Sequence, residues 1–259
     1  MTDTLTLDRP KIAEKDFVLA TDLDGTFLGG EQSDRSALYD WIEDNRDTVG
    51  LIFVTGRDPE FIFELCETQG VPRPEYVVGD VGTTIAEVTD DGRIAPIPEL
   101  EEEIAAAWGE NTATRVRMGL DPIMGLKLQP TKFRYRMSFD YDPLKFDPLA
   151  FEIVDQLGLD HLISAEQFFD VLPKGVSKGP SILRLLEHLG IEQRKTLVAG
   201  DTFNDLSMLQ TGLPAVAVGG SEKGLLEAVK DIESVYQATA IGAAGIREAI
   251  REMNMHPAA

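Results

Sequence analysis

Two carboxylates two residues apart, Asp22 and Asp24, close the apolar run Phe-Val-Leu-Ala-Thr-Asp-Leu-Asp-Gly-Thr. At the end of a strand that turns sharply, such a pair converges on one small site. Its mutual repulsion requires a cation, and its oxygen donors suit a hard divalent ion. Beside that ion one carboxylate can attack phosphorus while its neighbour handles the proton of the leaving group. Gly25 gives the backbone the curvature this needs. An ordinary Asp-Gly turn is the alternative reading when the five residues are taken alone.

A second acidic cluster, Asp201-Thr202-Phe203-Asn204-Asp205, follows the apolar run at 197–200. Capping of the next helix explains Asn204 or Asp205 but leaves Asp201 without a task. Two acidic clusters at strand ends predict a metal site. Thr55-Gly56-Arg57 follows the apolar run at 51–54. A hydroxyl and backbone N–H groups at a strand-to-helix turn suit a phosphate oxygen. Arg57 can add a two-pronged contact to phosphate, or one to a sugar hydroxyl; a surface arginine in a first helical turn is the plainer alternative. Lys178 precedes Pro180, which belongs in a first helical turn. A lysine there reinforces the positive end of the helix and favours an anion, although most lysines are solvated surface charges.

Positioning these residues takes a parallel sheet. Buried strands are predicted at 17–23, 51–54, 75–78, 196–199 and 215–218, and a hairpin from 82 to 88 closing around Asp91-Gly92. Helices are predicted at 36–45, 59–69, 180–189 and 205–210, and after residues 222 and 245. Strand alternating with helix is the grammar of an α/β fold. Between the halves the texture becomes α+β: a helix at 99–108, strands at 125–128 and 133–139, a helix at 148–157 and a strand at 168–172 leading out. Arg134 and Arg136 alternate with Phe133, Tyr135 and Met137 and read as the solvent face of the inserted sheet. The expected division is a core of residues 1–92 and 168–259 around an insertion at 93–167.

Composition narrows the partners. With 24 Lys and Arg against 45 Asp and Glu, the chain carries a formal charge of −21, which repels nucleic acid and anionic membranes. A phosphate site on such a surface must concentrate positive charge locally. No apolar run reaches the roughly 18 residues that span a bilayer, and the first residues lack a basic head with an apolar stretch, so a cytoplasmic protein is expected. Cys66, the single cysteine, reads as a structural thiol. The three histidines, His161, His188 and His256, have no metal-ligand spacing, which disfavours zinc.

In this order, Asp-Leu-Asp-Gly-Thr, Thr-Gly-Arg, Ser-Lys-Gly and Gly-Asp-Thr-Phe-Asn-Asp resemble the haloacid dehalogenase phosphohydrolase superfamily, and the insertion resembles its C2-type cap. Asp170-Val171-Leu172-Pro173-Lys174-Gly175 with Ser177-Lys178-Gly179 resembles the sucrose-phosphate phosphatase branch, as does Leu126-Lys127-Leu128-Gln129-Pro130. The resemblance implies a Rossmann-like core and a phospho-aspartate on Asp22, with Asp24 as general acid and then base. It implies that Thr55, Gly56, Lys178 and Asn204 face the phosphate. It further implies Mg2+ held by the side chain of Asp22, the backbone carbonyl of Asp24, Asp201 and Asp205. Arg57, Lys127 and Gln129 are the candidates for sugar contact. Phe203 departs from the small residue usual in that branch. A disaccharide phosphate such as sucrose 6-phosphate is the expected substrate, and a sugar-phosphate-making glycosyltransferase the expected functional partner. Alternatives are a mannosylfructose-phosphate or glucosylglycerol-phosphate phosphatase, a phosphotransferase like the phosphomannomutases, and a non-catalytic binding protein on the same fold.

Overall fold

The computed structural model describes residues 11–130, 134–164 and 166–258. In chain order the elements of the first half are β1 (Phe17–Thr21), α1 (Gln32–Asp44), β2 (Val49–Val54), α2 (Pro59–Thr68), β3 (Tyr76–Gly79), β4 (Thr84–Val88) and β5 (Ile94–Pro96). Then come α3 (Pro98–Trp108), α4 (Thr112–Leu120), β6 (Leu126–Leu128), β7 (Met137–Tyr141), α5 (Leu149–Gln156), β8 (Leu159–Ser164) and β9 (Phe168–Pro173). The chain closes with α6 (Lys178–Leu189), β10 (Thr196–Gly200), α7 (Leu206–Leu209), β11 (Ala215–Gly219), α8 (Lys223–Val229), β12 (Val235–Ile241) and α9 (Ala243–Glu252).

These strands form an eight-stranded sheet ordered β12-β11-β10-β1-β2-β3-β4-β5 and a four-stranded sheet ordered β6-β7-β9-β8. From β12 to β3 the large sheet is parallel; β4 and β5 add an antiparallel hairpin at one edge. The small sheet is antiparallel throughout. This is the Rossmann-like core and cap expected from the motifs.

Burial explains why β1 reads as an unbroken apolar run. Phe17 and Leu19 point to one side, against Ile42 of α1 and Ile246 and Ile250 of α9. Val18 and Ala20 point to the other, against Ile182 and Leu185 of α6. A strand covered on both faces has no polar side to alternate with. Burying side chains of this size contributes about 1.5–3 kcal/mol each, so the centre of the sheet is a rigid base for what its strand ends carry. The open edge at β12 is blunted by Glu248 of α9, whose carboxylate accepts from the backbone N–H groups of Thr239 at 3.0 Å and Ala240 at 2.8 Å.

The sheets divide the chain differently from the expected cuts. The cut after residue 92 falls between β4 and β5, which pair with each other in the large sheet. The strand at 168–172, expected to lead back into the core, is β9 and pairs with both β7 and β8 of the small sheet. The strand expected at 133–139 begins at Met137, and residue 133 lies outside the described residues. One face of the small sheet, with Phe139, Phe169 and Val171, packs on Val116 and Leu120 of α4 and Ala150 and Val154 of α5. The other face, with Ser138, Phe168 and Asp170, lines a cavity shared with the core.

Candidate active site

Because β10, β1 and β2 are adjacent and parallel, the loops leaving their C-terminal ends meet at one edge of the sheet. Asp22 follows β1 directly; it is 5% exposed, and its N–H donates to the carbonyl of Ala199 at 2.9 Å. The chain then turns tightly through Leu23–Phe27, with Gly25 at φ +81°. A Cβ on Gly25 would stand 2.2 Å from Oδ2 of Asp201, so glycine is required here by conformation and by space. Thr26 donates from its Oγ1 to Oδ1 of Asp201 at 2.6 Å, tying the turn after β1 to the loop after β10.

Lys178, the first residue of α6, is fully buried and ends among acceptors. Its Nζ donates to Oδ1 of Asp22 and Oδ1 of Asp205, each at 2.6 Å, and to Oδ1 of Asn204 at 3.0 Å. Oδ2 of Asp205 accepts from the N–H groups of Asp201 and Thr202, both at 3.0 Å. Asp205 therefore closes its own loop from behind, makes no side-chain cap to α7, and also faces the lysine. Burial alone would lower the pKa of the Lys178 ammonium. The neighbouring Asp205 and Asp22 outweigh burial and hold the lysine above its ordinary value, so it is charged. Asp22 lies well above the usual carboxylate range, chiefly through burial and then through Asp205, with Lys178 opposing. Asp201 is pushed up to about 6, chiefly by burial, with Asp205 adding to it.

The residues fit a divalent cation. Asp22, Asp201 and Asp205 each offer an oxygen, and the three lie within 4.8 Å of one another. Three carboxylates against the single ammonium of Lys178 leave two negative charges when all are ionised, the charge that one such cation cancels. A hard ion with oxygen ligands matches this donor set. The raised carboxyls express the same demand from the metal-free side.

A stability test follows. An Asp201 that titrates near 6 in the fold rather than near 3.8 stabilises the metal-free protein at low pH. That contribution is lost as pH rises through 6. In EDTA at pH 7.5, Asp201→Asn, which can still accept from Thr26, is expected to unfold at higher urea than the parent, by roughly 1–3 kcal/mol. The difference should shrink on acidification towards pH 5. A less stable variant at pH 7.5 would contradict the charge assignment.

Asp24 stands apart from the acidic triad. Its exposed carboxylate is held by the guanidinium of Arg57, with Nε donating at 2.8 Å and Nη2 at 3.1 Å. Arg57 also covers the ring of Phe61 at 4.5 Å. Thr55 is buried, and its Oγ1 accepts from the N–H of Arg57 at 3.1 Å, which shapes the turn after β2. Asp22, Asp24, Gly56, Arg57 and Asn204 line the floor of a cavity of about 420 Å³. Gln129 reaches its wall, with Nε2 donating to Asp140 at 2.8 Å. Lys127 is exposed on β6 and is not among the lining residues. Phe203 is 41% exposed and likewise lies outside the lining.

The roof of the cavity holds side chains that the sequence did not nominate: Arg136, Ser138, Ser164, Phe168 and Asp170. Asp170 accepts a hydrogen bond from Ser138, its partner across the β7–β9 ladder, and both are buried. Arg136, expected on a solvent face, is 7% exposed. Alternation misled because the chain reaches Met137 before it becomes a strand, so no two-residue period governs Arg134 and Arg136. The usable signal was Asp170, the one polar residue of the otherwise apolar strand β9.

Residues 15–254 match the sucrose-6F-phosphate phosphohydrolase family. The chain belongs to that family, within the haloacid dehalogenase superfamily. It is 38% identical over 233 residues to the glucosylglycerol-phosphate synthase of Pseudomonas anguilliseptica, covering 90% of this chain but 30% of the length of that relative. It is 25% identical over 258 residues to the mannosylfructose-phosphate phosphatase of Agrobacterium fabrum, covering 93% of this chain and 98% of the relative. In fold it is similar to the sucrose-phosphatase from Synechocystis sp. PCC6803, solved in complex with sucrose and phosphate. That similarity has a TM-score of 0.81 at 24% identity and covers 93% of this chain and 98% of the other. No described helix is long and apolar enough to cross a membrane.

Proposed function

We propose that the protein is a magnesium-dependent phosphatase that hydrolyses the phosphomonoester of a small glycoside phosphate through a phospho-aspartate on Asp22. The observation that carries this is the set Asp22, Asp201, Asp205 and Lys178, gathered beneath a cavity with a hydroxyl- and carboxylate-bearing roof. At about 420 Å³ the cavity is in the size range of small-molecule sites.

In this mechanism an oxygen of Asp22 attacks phosphorus, the ester P–O bond breaks, and Asp24 gives its proton to the departing sugar oxygen. Asp24, now a carboxylate, takes a proton from water. The water oxygen attacks the same phosphorus, the bond to Asp22 breaks, and orthophosphate leaves. The side chains of Asp22 and Asp201 and the carbonyl of Asp24, with Asp205 in support, would hold magnesium, whose positive charge would offset repulsion between nucleophile and phosphate. Lys178, Thr55 and the N–H groups around Gly56 hold the equatorial oxygens, and Asn204 borders them. Phosphoryl transfer depends chiefly on such positioning and neutralisation. Arg57 on the cavity floor and Gln129 on its wall are the proposed sugar contacts.

Family membership supports sucrose 6-phosphate as substrate. Glucosylglycerol phosphate is a second reading, favoured by the 38% identity to a relative named for making that compound. That the match occupies 30% of the relative's length supports pairing with a glycosyl-transferring enzyme. On this reading the protein would work in the cytoplasm, with its substrate made by such an enzyme.

The experiment is a phosphate-release panel with Mg2+ over sucrose 6-phosphate, mannosylfructose phosphate, glucosylglycerol phosphate and hexose monophosphates, ranked by kcat/KM. One glycoside phosphate is expected to exceed the hexose monophosphates by about a hundredfold or more. Interconversion of hexose phosphate isomers faster than phosphate release would favour the phosphotransferase alternative. Absence of turnover on every ester would reject the proposal.

A further inference from the structure

Arg136 reaches the core from the cap. Its buried guanidinium donates from Nη1 to the carbonyl of Gly56, at 3.3 Å, in the middle of the Thr55-Gly56-Arg57 turn. Its Nε lies 3.6 Å from Oδ1 of Asp170 in the cap. From the core side the buried carboxylate of Asp80 feels its charge. A buried cation between carboxylates of two units is costly to leave half-matched, so its position is strongly specified.

What it touches leads to the phosphate-binding groups. The turn Asp80–Gly82 after β3 has φ of +52° at Asp80, +60° at Val81 and +103° at Gly82, and Val81 is a β-branched residue in the left-handed region. At Asp80 and Val81, which carry a Cβ, such conformations are unfavourable and persist where surrounding contacts enforce them. Those contacts are visible here: Asp80 N–H donates to the carbonyl of Arg57 and Val81 N–H to that of Thr55, both at 3.1 Å. On the far side, Ser181 donates to the carbonyl of Gly82 at 2.8 Å. A Cβ on Gly82 would stand 2.5 Å from the carbonyl oxygen of Ser177 and 2.9 Å from the nitrogen of Lys178. Residues 55–57, the strained turn and the start of α6 are thus one bonded unit, and Arg136 grips it from the cap.

We propose that Arg136 is a positioning residue. By bonding Gly56 from the cap, it fixes the backbone of residues 55–57 and, through the turn Asp80–Gly82, the seat of Lys178. The geometry around the phosphoryl group therefore depends on a cap side chain that touches no reacting atom. The kinetic readout rests on the phosphatase assignment above; the backbone readout does not.

The test compares the parent chain with Arg136→Met and Arg136→Lys, by amide hydrogen exchange and by kinetics on p-nitrophenyl phosphate and on the best ester of the panel. In Arg136→Met, amides of residues 55–58 and 80–82 are expected to exchange about tenfold faster or more. Its kcat is expected to fall by about tenfold or more on both esters, with KM little changed. Arg136→Lys, a point charge in place of a planar fork, should fall between. Exchange at the parent rate would overturn the proposal. So would a defect confined to KM for the sugar ester, because Arg136 would then be a substrate contact. Should Arg136→Met fail to fold, Arg136→Lys decides on the same two readouts. A parent inactive on every ester would remove the assigned reaction, and exchange alone would still decide the role of Arg136.

Discussion

Asp22→Asn is expected to release phosphate at least about a thousandfold more slowly than the parent while folding normally. The substituted amide keeps the shape of the carboxylate and an oxygen that Lys178 can still donate to across the 2.6 Å contact. What it loses is the nucleophilic charge. Stability should not fall, because Asp22 is a carboxyl raised chiefly by burial and then by Asp205, and removing it relieves both. The check is phosphate release at saturating Mg2+ beside urea unfolding of the same samples. Turnover within tenfold of the parent would reject covalent catalysis by this residue; loss of activity together with loss of fold would leave Asp22 a structural part.

Lys178→Met carries the largest expected cost in stability. Lys178 is 0% exposed and bonds Asp22, Asp205 and Asn204 at once. Methionine fills much of the space but leaves two buried carboxylates facing each other without a cation. Breaking a buried pair in this way costs about 3–5 kcal/mol. In EDTA the variant should unfold at much lower urea than the parent, and Mg2+ should return part of the loss by binding the folded form. Pairing it with Asp205→Asn should also return part, since the partner charge goes too. Activity should be lost in every case, because a positive charge beside the transferring phosphoryl group is gone. A metal-free loss below about 1 kcal/mol would mean that the cluster is not held by this charge balance.

The sequence was most legible where burial is most complete. The runs that became β1, β2 and β10 are covered on both faces, so they stand out as apolar blocks, and the residues after them fall at one sheet edge without further assumption. Asp22, Thr55 and Asp201 were found that way. Less visible was that Lys178 would bond two of the aspartates as well as face an anion; the separations of 156 and 27 residues carry no local signal. Three elements had no counterpart in the sequence reading. In α4 only Thr112, Val116 and Leu120 are buried, a stripe one residue wide at four-residue spacing. β8 spells Leu-Asp-His-Leu-Ile-Ser, whose apolar residues do not alternate, and β12 is a partly exposed edge strand. The roof of the cavity was illegible for a related reason. Whether Arg136, Ser138 and Asp170 face solvent or a cavity depends on which face of a short sheet the core covers, and that is set by β9 joining the cap.

The most direct measurement is chemical trapping of the intermediate. The protein would be mixed with Mg2+ and excess of its best ester, quenched in acid during turnover, reduced with borohydride and mapped by peptide mass spectrometry. An acyl phosphate on Asp22 is reduced to homoserine, so the peptide that spans β1 should carry homoserine at position 22 and aspartate at 24, 201 and 205. Aspartate intact at position 22 in a sample that has released phosphate, or homoserine at another of these positions, would contradict the assignment of Asp22 as the group that takes the phosphate.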